Sequence, residues 1–360
     1  MKRSFSIALL TLLSVATLAQ ADEGNPKIKK IESIAFAPKG VLLIAGNSQV
    51  VAVETGDVKE TTWTKTEIPA IDQLLAAKLG STAKDIQILK VAVNPASHKA
   101  YISVRSLKAN QDVILTVDGA GNVAEFSLEN VKYNRYPLAV GDKAVTLITD
   151  ICWSGNRIFA ATQASDVFAS RVFSIDPNLK GAFASIGTET YHVGHGKWET
   201  KAPIRCIMPY EENGKANVVG SFTCTPIVKY SVDDVSSKPA VKGVSVVELG
   251  TGNTPRSMFG YENGGKKYVL INVARNNKKP AFDFPSGYWV ARVDAELLKE
   301  TTAVNEKAPW RVGGKVSAGD RVSVAKDYFG VHQMDKLDAT RAVVIREEKD
   351  GFALRVLPLP

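Results

Sequence analysis

The chain has little of what familiar chemistry is built from. Only three cysteines and four histidines occur in 360 residues. So few cysteines exclude a disulfide-stapled scaffold, and without a Cys-x-x-Cys-His run a c-type haem has no attachment point. Gly-x-Ser-x-Gly, Walker A, EF-hand and kinase patterns are all missing, so the usual nucleophile and phosphate chemistries have no foothold. Cations and carboxylates are interspersed with no long basic block, which leaves no footprint for a nucleic acid. Beyond the N-terminus, no apolar run approaches the roughly 20 residues that a membrane helix needs. What remains is 45% hydrophobic and 23% charged, with 27 glycines and 16 prolines. That is the composition of a globular protein and not of a disordered or collagen-like chain.

The first residues indicate the compartment. Lys2 and Arg3 precede an apolar stretch from Phe5 to Leu18, and Ala19-Gln20-Ala21 follows as an A-x-A cleavage site. This order fits a secretory signal peptide over residues 1–21, and the apolar run is too short to span a bilayer. No cysteine follows the cut, which argues against a lipoprotein anchor. The expectation is an exported, periplasmic or secreted chain starting at Asp22. Losing Lys2 and Arg3 lowers the formal charge from +8 to +6, an excess that solubility accounts for.

From there the dominant signal is short β-branched or aromatic runs separated by turn residues. Ser33–Phe36, Val41–Ala45 and Val50–Val53 are divided by Pro38-Lys39-Gly40 and Asn47-Ser48. The same pattern returns with turns at Asn94-Pro95, Ser154-Gly155-Asn156, Asn213-Gly214, Asn263-Gly264-Gly265 and Lys349-Asp350-Gly351. Meanders of this kind begin near residues 31, 86, 147, 204, 256 and 328. Units of roughly 50–60 residues suit four-stranded propeller blades with insertions. Two helical patches interrupt the strands. Ile71, Leu74, Leu75 and Leu79 stand at helical spacing before Gly80, and Asp294–Glu300 has room for a turn or two. Long helices between strands, which a parallel α/β sheet requires, are missing. The fold expected is all-β: a single propeller domain over residues 22–360, six blades ahead of seven, of four-stranded antiparallel meanders with short helical insertions.

The stretches IESIAFAPKGVLLIAG…VVAVETGD and ILTVDGAGNVAEF resemble secreted bacterial β-propellers of the NHL/YVTN and quinoprotein-like kind. The likeness covers most of the mature chain as a rhythm, without a Trp-Asp signature, a kelch di-glycine or an Asp-box. It implies a fold and binding at the mouth of the channel, and it assigns no catalytic set.

Four groups of residues are candidate sites. Two of the four histidines fall in Tyr191-His192-Val193-Gly194-His195-Gly196-Lys197-Trp198-Glu199. His192 and His195 could share a metal if the loop turns them to one side, with Glu199 as third ligand or base. A transition metal or calcium is the cofactor such a loop would hold, against the plainer reading of histidines on a hydrogen-bonded turn. Cys206 and Cys224 lie on neighbouring strands, where an oxidising compartment allows a bridge. Cys152 is an alternative partner, and three small buried apolar side chains are the other reading. The segment from Arg275 to Trp289, with Tyr288, mixes cations and aromatics as contact loops do, although the same aromatics could instead cover the outside of a blade. Arg205, Arg256, His332 and Asp150 fall on the first strands of successive meanders. If those strands surround a channel, these side chains converge on one axial face, with salt bridges between blades as the plainer account. Gly119-Ala120-Gly121-Asn122 half resembles a dinucleotide loop, but no helix follows it, so it reads as a hairpin.

Two functions follow. The first is a binding or scaffold module whose loops hold a protein, peptide or glycan partner, with neither nucleic acid nor a transmembrane segment involved. The second is a metal- or quinone-linked periplasmic enzyme, oxidoreductase or hydrolase, centred on the His-x-x-His loop. A calcium-dependent lactonase type is a weaker variant, since its carboxylate and asparagine ligands have no clear positions.

Overall fold

The computed structural model describes residues 21–165, 167–179, 183, 185–223, 226–276, 285–308, 311–312, 315–316 and 321–360. Residues 1–20, within the segment expected to be a signal peptide, Cys224, and residues 277–284 of the aromatic loop lie outside the described residues.

The fold is all-β, a propeller-like arrangement of antiparallel sheets with few helices. Tight turns make the meanders. Asn47 and Ser48, Gly155 and Asn156, Asn213 and Gly214, and Gly264 and Gly265 all have positive φ at both central positions. That is the type I′ geometry whose twist matches paired strands. The helix expected around Leu74 spans Ile71–Lys78, and Asp294 caps a 3-10 turn at Ala295–Lys299 by accepting from the Glu296 N–H. A further short helix, Val232–Ser237, was not apparent from the sequence.

Chain order and spatial order differ. The innermost strands pack side by side in a cycle: Ser33–Ala37, Leu147–Ser154, Ile204–Glu212, Asn253–Asn263, Val331–Lys336, Ile86–Val93, and back to Ser33–Ala37. The sheet starting at Ile86 therefore sits between the first and the last sheets. Two sheets are composite. Ser33–Ala37, Val41–Gly46 and Gln49–Glu54 are extended by Val131–Pro137, and then by Asp22–Gly24 at the edge. Val331–Lys336, Arg341–Glu348 and Gly351–Pro358 are completed by Glu67–Ile68. Each exchange closes an edge with chain from a distant part of the sequence and removes an exposed ladder.

The connection that allows this exchange is held by Asp57. Its carboxylate accepts from Ser97 at 2.7 Å, Lys99 at 2.9 Å and Tyr101 at 3.0 Å. The Trp63 indole donates to the His98 carbonyl at 2.6 Å. Residues 55–66 are thereby laid across the sheet that begins at Ile86, which delivers Glu67 and Ile68 to the far edge.

A second join occurs at the rim. Ser185–His192 and Ala240–Glu248 are the outer strands of neighbouring sheets and pair in parallel, with Gly187 opposite Ala240 and Thr190 opposite Gly243. Two four-stranded sheets are fused into one, and Lys197–Glu199 adds a further strand on His192.

Among the described residues no helix is long and apolar enough to cross a membrane. Apolar clusters fill the spaces between sheets. One runs from Cys206 and Met208 through Ile271 and Trp289 to Phe329, and another holds the helix residues Ile71 and Leu75 against Val343 and Leu354.

Close approach of chain segments makes Gly46 a specific demand. A Cβ at Gly46 would lie 1.8 Å from the Lys30 carbonyl oxygen, whereas at Gly260 the nearest heavy atom is 3.8 Å away. Gly46→Ala is expected to cost about 3 kcal/mol or to prevent folding, and Gly260→Ala to change stability by less than about 1 kcal/mol. Paired urea melts of the two variants measure the difference.

Candidate functional site

The axis is built from one backbone irregularity repeated around the cycle. The innermost strands slip register at the same level: between Ile88 and Lys90, Ile148 and Asp150, Ile204 and Cys206, Pro255 and Ser257, and Val331 and Gln333. On Ser33–Ala37, the N–H groups of the Glu32–Ser33 step turn in the same way, with Glu32 donating to Ala45 while Ser33 pairs with it. A bulge re-aims side chains and leaves one residue unpaired. Here that residue is Leu89, Thr149, Arg205, Arg256 or His332, and its successor is Lys90, Asp150, Cys206, Ser257 or Gln333. Two polar layers therefore line the axis.

The deeper layer is a closed network. Asp150 Oδ1 accepts from Ser33 Oγ at 2.7 Å and from Lys90 Nζ at 2.8 Å, and its Oδ2 accepts from the Ile207 N–H at 3.0 Å. Lys90 also donates to the Arg256 carbonyl at 3.2 Å. Gln333 accepts from Ser257 Oγ at 3.1 Å and donates to the Leu89 carbonyl at 2.9 Å. Burial alone would depress the Lys90 ammonium, but the Asp150 carboxylate beside it raises its pKa above the ordinary lysine value.

On one side of this layer the strands diverge around a cavity of about 500 Å³, lined by Phe36, Trp153, Met208, Phe259, Met334 and Asp335 among others. Asp335 accepts from the Val93 N–H at 2.7 Å and the Lys336 N–H at 2.8 Å, and burial pushes its carboxyl up to about 6.

On the other side stand the bulged residues. Arg256 donates through Nε to the His332 carbonyl and through Nη2 to His332 Nε2, both at 3.0 Å. Its guanidinium carbon lies 5.9 Å from the centre of the Tyr288 ring. The His332 imidazole packs against Tyr288 and Phe352, each with ring centres 5.1 Å apart. Burial, with Arg256 adding to it, lowers the His332 pKa to about 3. The imidazole is therefore neutral, Nε2 accepts from Arg256, and the proton sits on Nδ1, which is buried and has no partner among the described residues. Burial, with Arg205 close by, also lowers the Arg256 pKa. Arg205 Nε is likewise buried without a partner among the described residues.

The expected convergence of Asp150, Arg205, Arg256 and His332 thus separates into two layers. Arg205, Arg256 and His332 share one, and Asp150 lies in the next, because it follows its bulge while the others are bulged residues. Lys90, Ser33, Ser257 and Gln333 were missed. Lys90 is a lone charge between Leu89 and Val91 in an apolar run, a signal that could have revealed it, whereas Ser33, Ser257 and Gln333 each follow another polar residue and carry no such signal. Two other candidates belong to the core. Trp289 is 1% exposed and donates to Asn253 Oδ1 at 3.1 Å. Tyr191 is buried with its ring edge-on to Trp198. Both alternate inward on their strands, so neither offers a contact surface. Arg275 ends the strand Lys266–Arg275 opposite Asn253, away from the axis.

Cys152 and Cys206 are free, buried thiols. Cys206 occupies the register position equivalent to Asp150, two residues short of the one matching Cys152, so they stand at different levels. Burial raises the Cys152 thiol well above its ordinary value and pushes Cys206 up to about 12, which makes both poor nucleophiles.

The histidine loop proves to be a β-hairpin at the rim. Ser185–His192 passes through a 3-10 turn, Val193–His195, closed by Gly196 at φ 62, into Lys197–Glu199. With His192 opposite Lys197 and Thr190 opposite Glu199, His192 and Glu199 share a face. Glu199 accepts from His192 Nδ1 at 3.2 Å and from His195 Nδ1 at 2.8 Å, and the two imidazole centres are 3.9 Å apart. Partial burial works against the Glu199 carboxylate, but the hydrogen bonds from His195 and then His192 outweigh it and lower its pKa.

The axial network yields two expectations. Lys90→Met leaves Asp150 buried without its cation and should cost about 3 kcal/mol. Adding Asp150→Asn should restore part of that, since the amide can still accept from Ile207 and donate to Ser33; denaturant melts of the three variants provide the check. For His332, the unfolded chain binds the extra proton between pH 6.5 and 3, so stability falls as pH drops through that window. From pH 7 to 4.5 the parent should lose about 2 to 3 kcal/mol more than His332→Gln, a difference that melts at the two pH values resolve.

No family model matches the sequence, and no curated protein matches it. Among solved structures the chain is similar to glucose dehydrogenase, at 12% identity over 96% of this chain and 99% of that one, with a TM-score of 0.38. It is also similar to a thermostable family-43 glycoside hydrolase, at 10% identity over 76% and 90%, TM-score 0.38. A third is a protein of unknown function from Bacteroides caccae, at 13% identity over 84% and 85%, TM-score 0.32.

Proposed function

We propose that the chain is an exported binding module, one propeller domain of six blades over residues 22–360. In this reading it takes an oxyanion group of its ligand, such as a carboxylate of a peptide or acidic glycan, at the Arg205–Arg256 end of the axis. Six innermost strands in a cyclic order support the blade count, and the Lys2-Arg3 leader with its Ala19-Gln20-Ala21 site supports export to the periplasm.

One observation carries the ligand class. Arg205 and Arg256 lie close together on neighbouring strands, partly buried, with no carboxylate partner among the described residues. Two neighbouring guanidiniums gain most from an anion placed between them, and the guanidinium fork matches a carboxylate's two oxygens. The unpartnered Nδ1–H of His332 adds a neutral donor, and Tyr288 and Phe352 supply apolar walls. Lys90 cannot compete for the ligand, because Asp150 already holds it.

The test is calorimetric titration of the mature protein with citrate and with oligogalacturonate, against glycerol and a neutral oligosaccharide. The acidic probes should bind and raise the melting temperature, with affinity falling at least about tenfold in Arg205→Gln/Arg256→Gln. Equal response to acidic and neutral probes, or unchanged binding in the double variant, would sink the reading.

A further inference from the structure

The rim hairpin carries a second site, remote from the axis and independent of the anion reading. We propose that His192, His195 and Glu199 form a mononuclear site for a divalent transition metal of the zinc class, with three protein ligands and a fourth position open to solvent.

Geometry is the first support. One ligand atom from each of the three side chains lies within 4.8 Å of the other two, so a single ion can reach all three after small side-chain rotations. Two imidazole nitrogens and one carboxylate oxygen form the donor set that suits zinc, nickel or copper(II); magnesium and calcium prefer all-oxygen shells. Three protein ligands with one side exposed leave a fourth position open. His192 is 3% exposed at the base of the cluster, while His195 is exposed at its mouth.

Charge is the second support. Glu248 lies behind the hairpin, 4% exposed, with Oε2 at 3.6 Å from His192 Nε2. Its carboxylate accepts from the N–H groups of Val193 and Gly194, the latter at 3.0 Å, and so pins the turn between the two histidines. Two carboxylates therefore face two imidazoles, with Lys197 Nζ 3.7 Å from Glu199 as the nearby cation. A dication placed among these side chains would sit against both carboxylates.

Preorganisation is the third. The parallel join of Ser185–His192 to Ala240–Glu248 fixes Glu248 against the hairpin, and Ser245 Oγ donates to the Tyr191 carbonyl. At Gly194 a Cβ would lie 3.2 Å from Glu248 Oε2 and 3.7 Å from His192 Nε2, so the absence of a side chain there leaves room for both groups. A hairpin held this firmly loses little entropy when it binds an ion.

The experiment uses tag-free mature protein stripped with chelator. Zn²⁺ is titrated by calorimetry, the bound metal is counted by mass spectrometry, and Co²⁺ is added separately to read coordination from visible absorption. His195→Ala and Glu199→Gln change side chains at the exposed mouth, and melts of the metal-free variants confirm that they fold. One equivalent of zinc is expected, with a rise in melting temperature and an intense low-symmetry cobalt band. Affinity should fall at least about tenfold in each variant, whereas His98→Ala should bind as the parent does. Zinc below half an equivalent, equal affinity in parent and ligand variants, an equal loss in His98→Ala, or a preference for Ca²⁺ over Zn²⁺ would each overturn the proposal. Because Arg205 and Arg256 remain intact in these variants, oligogalacturonate binding can fail or survive independently.

Discussion

The Asp150 carboxylate is where the separate sheets become one structure. It takes hydrogen bonds from Ser33, Lys90 and the backbone of Ile207, which stand on three other innermost strands, and Lys90 carries the link on to the Arg256 carbonyl. Much of the remaining adhesion between sheets is apolar and non-directional, which fixes proximity but not level. A buried charge that loses free energy unless all its partners are in place supplies the missing specification of height and register. The repeated bulge makes this possible, because it turns two successive residues of each strand toward the axis where a regular strand would turn one.

Once that layer is formed, it divides the axis into two unlike compartments. On one side is a cavity edged by aromatic and methionine side chains, with Asp335 held by backbone N–H groups. On the other, two arginines and a neutral histidine stand among Tyr288 and Phe352. The layer has its own internal partners and is chemically self-contained. The arginines are not, and that asymmetry is why the ligand is assigned to their end. The rim hairpin follows a different logic: it depends on the parallel join of two outer strands, so its histidines owe their geometry to the edge of the fold and nothing to its centre.

Much of the fold was legible in the residues. Asn-Gly, Gly-Asn and Asn-Ser pairs gave the hairpins because few residues tolerate positive φ at both turn positions. The spacing of Ile71, Leu75 and Gly80 marked a helix and its end. The strand Val131–Pro137 was missed, since Tyr133, Asn134 and Arg135 lack the apolar alternation that marks a strand; it is held by pairing with Gln49–Glu54. The candidate site was half legible. Clustering of two scarce histidines identified the hairpin, and position on the first strands identified Arg205, Arg256 and His332. Tyr191 and Trp289 looked like contact residues because aromatic side chains serve cores and interfaces equally well.

By itself the sequence determined the all-β class, the local meanders, the turn types and the scarcity of catalytic groups, because each of these is set by neighbours a few residues apart. Tertiary structure alone decided that the sheet beginning at Ile86 lies between the first and last sheets, that Glu67–Ile68 and Val131–Pro137 complete sheets begun far away in the chain, and that Lys90 meets Asp150. Such pairings join residues 60 or more positions apart. Nothing in the local pattern selects one distant partner over another; pairing exposed strand edges and giving buried charges such as Asp150 their partners is what selects it.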